Sequence, residues 1–226
     1  STKLSHMIRK VLFTWSGGKD SALALYELQR KHDHEILALL TTLTEDYDRV
    51  SMHGVRTILL EHQVNSLGLP IEKVYLPKEP CNEAYEAKMN EVLQKYLGLG
   101  VSGVVFGDIF LEDLRKYRED NLSKIGMKAI FPIWKRDTAE LAYEFIDLGF
   151  KAIITCVDSH VLDRTFVGRF FDRQLLSEFP STIDPCGENG EFHSFVFDGP
   201  IFQKRVSYIK GEVVLRDDRF WYCDLI

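Results

Sequence analysis

From Ile8 to Gly149 the sequence alternates between short apolar runs and longer stretches whose apolar residues recur at helical spacing. The runs are Met7–Trp15, EILALLTTL (35–43), IEKVYLP (71–77), GVVFGD (103–108) and KAIFPI (128–133). Between and after them lie Asp20–Arg30, Val55–Leu67 closed by Gly68 and Pro70, Asn82–Leu97 closed by Gly98, Leu111–Ile125, and Thr138–Leu148 capped by Gly149. Strands separated by helices pair in parallel, so this order predicts an α/β fold with helices on both faces of the sheet. After KAIITCVD (151–158) and an aromatic helix near Leu162–Phe179, the chain turns through DPCGENGE. It ends in FHSFVF, RVSYIKG and EVVLRDDRFWYCDL, which predict a smaller C-terminal α+β part with an antiparallel or mixed sheet. The division falls near residue 135, giving parts 7–135 and 136–226, with no internal repeat and no low-complexity segment.

Composition narrows the function classes. With 226 residues and 45% hydrophobic content the chain can bury a substantial core, and no apolar stretch approaches the roughly 18 residues of a membrane helix. A formal charge of -6 argues against extended nucleic-acid binding, which needs a surplus of Lys and Arg. Cys81, Cys156, Cys186 and Cys223 form no CxxC pair and no disulfide framework, which fits a reducing cytoplasm. Ser1–His6 lack the charged start and apolar middle of a signal peptide and read as an appended tail.

The most informative loop is VLFTWSGGKDS (11–21). A Walker A loop fails, because Phe13 and Asp20 stand where a glycine and a hydroxyl are needed, and the adjacent Gly17 and Gly18 do not make GxGxxG. Strand, glycine turn and helix start still form an anion site. The glycines let backbone approach a ligand, the helix aims unpaired N–H groups, Ser16 and Ser21 add hydroxyls, and Lys19 adds charge for phosphoryl oxygens. Asp20 would repel phosphate, so it orients Mg2+ or caps the helix. Gly107 and Asp108 end the fourth strand, where ligands sit in open parallel sheets. Asp108 either shares Mg2+ with Asp20, faces a substrate, or caps the helix from Leu111. Arg115 and Arg118 can face phosphate or a substrate carboxylate, or form an ion-pair face with Glu112, Asp113, Glu119 and Asp120. His53 on the same rim is a substrate-site candidate or a helix-start polar residue.

SGGKDS resembles the PP-loop of the N-type ATP pyrophosphatases. GVVFGDIFLEDLRKYREDNLSKIGMKAIFPIW (103–134) and DPCGENGEFHSFVFDGPIF (184–202) resemble the two further signatures of their diphthine-ammonia ligase-like branch. The likeness runs from Met7 to Phe202. It implies a HUP-type five-stranded parallel sheet of order 3-2-1-4-5 in an ATP-binding part, followed by a substrate-binding part. It also implies attack of a substrate carboxylate on the α-phosphorus of ATP, release of pyrophosphate, and displacement of AMP by ammonia. The branch's named carboxylate is diphthine, on elongation factor 2; a small metabolite is the alternative.

The resemblance places adenine against the backbone of Leu40–Leu43, so Thr41 and Thr42 join Ser16–Ser21 and Gly107 in the nucleotide set. It also turns Gly187, Glu188, Asn189, Gly190, Glu191 and His193, otherwise a polar surface turn, into a substrate or ammonia site. Glu188 and Glu191 would then hold ammonium and take its proton, as could His193 with its near-neutral pKa. The chain departs from the branch in carrying His193 and Ser194 where a Glu–Thr pair is expected. Asp184, Cys186, Glu188, Glu191 and His193 also admit a metal-cluster reading, weakened by mixed ligand types and strand alternation. A tRNA-modifying PP-loop enzyme and a non-catalytic ATP sensor are the competing functions; acidity and the missing CxxC disfavour the first. No glutaminase-like segment is present, so free ammonium is the expected donor. Phe220, Trp221 and Tyr222 would pair with a second subunit in a homodimer or fill a small core.

Overall fold

The computed structural model describes residues 8–45, 49–50, 54–79 and 81–226. The first half runs β1 (Arg9–Thr14), α1 (Lys19–Lys31), β2 (His34–Thr44), β3 (Arg49–Val50), α2 (Thr57–Leu67), β4 (Ile71–Leu76), α3 (Asn82–Gly98), β5 (Gly103–Val105), α4 (Glu112–Ser123) and β6 (Lys128–Ile130). Among the described residues, β4, β2, β1, β5 and β6 pair in parallel in that spatial order, which is 3-2-1-4-5 for the parallel strands. The two-residue β3 adds an antiparallel edge to β2.

Alternation along β1 and β2 splits the core. Val11, Phe13, Leu39 and Leu43 face one side with α1 and α2, while Leu12, Ala38 and Leu40 face the other with α3 and Leu122 of α4. The carboxyl ends of β1 and β5 finish nearly level, and β2 runs on beyond them to Thr44. Trp15 N donates to Leu40 O at 2.9 Å, and Thr14 Oγ1 donates to Val105 O at 2.7 Å.

The second half runs α5 (Thr138–Asp147), β7 (Lys151–Asp158), a 3-10 turn (Arg164–Phe166), α6 (Arg173–Glu178), β8 (Phe192–Asp198), β9 (Lys210–Arg216) and β10 (Phe220–Leu225). Its strands form an antiparallel sheet in the order β8-β7-β10-β9. The apolar cluster under α1 and α2 continues without interruption into this sheet, through Phe145, Phe150, Ile153, Phe195 and Leu225. Asp224 of β10 ties the halves again, meeting Arg56 at 2.8 Å and Arg49 at 3.1 Å. No helix among the described residues is long and apolar enough to cross a membrane.

Several elements differ from their sequence patterns. The continuous helix over Leu162–Phe179 is absent. Asp163 and Asp172 each cap a separate short turn, at Thr165 N and Leu175 N, and residues 169–171 run extended beside β7. GVVFGD leaves the sheet after Val105, which frees Gly107 and Asp108 to form a loop. KAIFPI leaves it after Ile130, two residues before Pro132, which has no N–H for a ladder. RVSYIKG contributes strand only from Lys210, and α3 runs through Gly98 to end before Gly100.

Phe145 is fully buried where α5 meets β7, its ring 4.9 Å from Phe150 and edge-on to Phe171 at 5.6 Å. Phe145→Ala should cost ~3–5 kcal/mol in urea denaturation. Because the core is continuous, fluorescence and circular dichroism should report one shared transition.

Candidate active site

The SGGKDS loop is shaped by a residue outside it. Gln63 of α2 is fully buried, with Oε1 accepting from Trp15 Nε1 at 3.1 Å and Nε2 donating to Gly17 O at 3.0 Å and Val196 O at 2.7 Å. Gly17 has φ +81, and a Cβ there would lie 2.7 Å from Gln63 Oε1. Its glycine makes room for this amide rather than for a ligand, and Gly17 does not line the cleft described below. Gly107 serves the same end from the opposite side. A Cβ on it would lie 3.2 Å from the Asp20 carbonyl, so the loop after β5 packs directly on the first turn of α1.

Together these loops border an open cleft of about 670 Å3 at the carboxyl ends of the parallel strands. Ser16, Gly18, Lys19, Asp20, Ser21, Thr41, Thr42, Gly107, Asp108, Arg118, Gly187, Glu188, Gly190, His193 and Ser194 line it. Residues from 16 to 21 thus meet the turn at 187–194. The Ser16 and Ser21 hydroxyls bond each other at 2.9 Å, and Thr41 Oγ1 donates to Trp15 O at 2.6 Å, fixing the loop on β2. Gly18, not Asp20, is the N-cap of α1.

Lys19 links the two motifs. Only 2% exposed, it donates from Nζ to Asp20 Oδ1 at 2.5 Å and to the Cys186 carbonyl at 2.9 Å, while its backbone N–H meets Ser194 Oγ at 3.1 Å. Burial alone would lower its pKa, but Asp20, Cys186 and Asp184 outweigh burial and raise it, so the ammonium stays charged. Burial pushes the Asp20 carboxyl up against the pull of Lys19, and Asp184 and Asp108 add to that push.

Glu188 crosses from the turn to accept from Ile109 N at 2.6 Å. Burial, then Asp20 and Asp108, raise its pKa to about 8 despite the Ile109 N–H and Lys19. Asp108 itself is held by Arg118, at 2.6 and 3.4 Å, whose guanidinium lies 4.4 Å from the Phe106 ring. Leu111 occupies the N-cap of α4, so Asp108 is not that helix's cap.

Other candidates fall elsewhere. Arg115 is not among the cleft residues; it pairs with Glu119 at 3.0 Å and stacks on Phe131 and Trp134. Asn189 is exposed outside the cleft, and His53 lies outside the described residues. Glu191 is buried beneath the turn, where Oε2 accepts from Asp184 N at 2.8 Å and Oε1 has no partner among the described residues. Burial and the Lys19 charge pull His193 down to about 4, leaving it neutral near pH 7.

Among the described residues no three Asp, Glu, His or Cys side chains are grouped to hold a metal, so the cluster reading of Asp184, Cys186, Glu188, Glu191 and His193 is not realised. The Cys186 thiol instead donates to Thr138 O at 3.2 Å. Mg2+ needs less, because one or two carboxylates plus phosphate oxygens suffice, and the oxygen-rich, mutually repelling Asp20 and Asp108 fit it.

Residues 9–129 match the family model described as the diphthamide synthase N-terminal domain, and residues 137–224 match that of the C-terminal domain. The chain is 27% identical to a diphthine-ammonia ligase of Schizosaccharomyces pombe, over 91% of this chain but 37% of that protein. It is 26% identical to one from Danio rerio (90% of this chain, 88% of that protein) and 30% identical to one from Homo sapiens (88% and 83%). It therefore spans little more than a third of the yeast relative and most of the two animal ones.

Two outcomes test the site's physics. Gln63→Leu strands the Trp15 indole N–H in the interior and takes one donor each from the Gly17 and Val196 carbonyls, and should cost about 3 kcal/mol in thermal or urea denaturation. Glu188 has a folded pKa of about 8 against 4.5 unfolded, so its contribution is fully present below pH 4.5 and is lost as pH rises toward 8. Glu188→Gln keeps an acceptor for Ile109. It should flatten this part of a Tm-versus-pH profile and melt higher than the parent at pH 8.

Proposed function

This chain belongs to the diphthamide synthase family, and on that premise we propose an ATP-dependent amide-forming ligase that adenylates a substrate carboxylate and transfers ammonia to it. The division of labour falls near residue 135, with ATP held mainly before it and the acceptor mainly after it. The observation that carries the reading is the burial of Lys19 between the loop and the 187–194 turn, which brings a phosphate-type charge and an acidic acceptor-side turn to one cleft. Bound there, ATP with Mg2+ supplies an electrophilic α-phosphorus and pyrophosphate as leaving group.

The chain's own groups divide the remaining work. Lys19 has three donors, of which Asp20 and Cys186 take two, leaving one for a phosphoryl oxygen. Ser16 and Ser21 add hydroxyls, and Thr41 and Thr42 border the place for the base. Asp20 and Asp108 would hold Mg2+. Arg118, on the rim, orients the acceptor carboxylate. Glu188, protonated near neutrality when the cleft holds no cation, gives up its proton as cation charge enters and becomes a base for the attacking amine. Glu191 Oε1, which has no partner among the described residues, is the acceptor we assign to ammonium. Diphthine, the acceptor in the relatives' names, is the first carboxylate to try. Neutral His193 in place of a glutamate removes one negative charge from the wall that meets it.

With ATP, Mg2+, ammonium and diphthine-bearing elongation factor 2, the products should be AMP, pyrophosphate and an amide; ADP and phosphate would refute adenylation. Lys19→Ala should lower kcat/KM for ATP by ~10²-fold or more. Glu191→Gln should leave ATP affinity unchanged and lower amide formation by ~10²–10⁴-fold, whereas unchanged amidation would remove Glu191 from the reaction.

A further inference from the structure

A second concavity lies on the C-terminal sheet and shares no lining residue with the cleft. Residues 168–172 and 205–210 contribute its walls and Ile153 of β7 its floor, around about 570 Å3, a volume typical of small-molecule sites. Arg169, Arg205 and Lys210 line it against a single carboxylate, Asp172, in a chain whose net charge is -6. Asp172 is committed to the start of α6, accepting from Leu175 N at 2.8 Å. Arg169 is committed to Glu178.

The other two cations are fixed in place without a counter-charge. The Arg205 guanidinium lies over the Phe197 ring at 4.9 Å, Lys210 Nζ donates to Gly168 O at 3.1 Å, and neither meets a carboxylate among the described residues. Beside them Phe170 is 54% exposed, with its ring 5.9 Å from that of Phe197. A flat apolar surface and two held cations thus border one hollow.

We propose that this hollow binds a small organic anion, a carboxylate or phosphate carried on a flat apolar group. The anion lies between Arg205 and Lys210, and the flat group lies against Phe170. Cations already held on a ring face and on a carbonyl lose little side-chain freedom when they bind, so charge-assisted hydrogen bonds to the anion keep most of their strength. The site needs neither ATP nor amide formation, and it stands or falls separately from the ligase reading.

The test is an amide NMR titration of the full chain, labelled with 15N, using phenyl phosphate, benzoate and inorganic phosphate as probes. Phenyl phosphate, benzoate or both should move amides of 168–172 and 205–210 saturably, leave 16–21 and 107–108 in place, and bind more tightly than inorganic phosphate. The preferred probe tells a phosphate headgroup from a carboxylate one. Arg205→Gln with Lys210→Gln should weaken binding about tenfold or more with the remaining spectrum unchanged. Should that double variant misfold, Phe170→Ala at the exposed ring should erase the advantage of phenyl phosphate or benzoate over inorganic phosphate. Shifts confined to the cleft, no saturable shift with any probe, or undiminished binding by the folded variants would overturn the proposal.

Discussion

All the hydrogen-bonding capacity that Gln63 shows is directed at three partners from two other parts of the chain: the Trp15 indole, the Gly17 carbonyl and the Val196 carbonyl. A buried amide left half-satisfied is costly, so α2, the loop after β1 and β8 must arrive together. Val196 N returns a bond to the same Gly17 carbonyl at 2.9 Å, and Ser194 accepts from Lys19 N. The cleft's shape follows from that junction, because the loop and the turn are each held by the other.

That mutual hold concentrates charge. Asp20, Asp108, Asp184 and Glu188 share the neighbourhood of one buried ammonium, and among the described residues only Asp108 has a guanidinium of its own. The carboxylates keep Lys19 charged against its burial, while burial first, and the neighbouring carboxylates after it, raise the pKa values of Asp20 and Glu188. A site so arranged is poised to accept added positive charge, and its acids give up protons when such charge arrives.

Parallel pairing of the strands and the position of the loop were legible in the sequence because they follow from local signals: β-rich runs, helical spacing, and glycines at strand ends; the order 3-2-1-4-5 was legible only through resemblance. Meeting of the loop with GENGEFHS was legible only through resemblance, since nothing local in a polar turn says what it faces. Gln63 was missed entirely. It is an unremarked polar residue in TILLEHQVNSL, and its partners lie up to 133 residues away. The Cys186 carbonyl leaves no mark either, because a backbone acceptor has no residue type. Arg115 and Arg118 looked equivalent at a spacing of three. The aromatic neighbours that separate them, Phe131 and Trp134 for one and Phe106 for the other, come from outside their helix. The aromatic stretch at 162–179 misled because its apolar residues serve an extended segment beside β7 as well as two short turns.

The bond from Lys19 N to Ser194 spans 175 positions, as does that from Arg49 to Asp224. Contacts of such separation form late in folding, after the loop-closure entropy has been met by more local structure. During synthesis the N-terminal sheet emerges well before Ser194 exists to receive Lys19. The nascent chain therefore carries an unfinished loop, and its cleft is completed only after β8 has emerged.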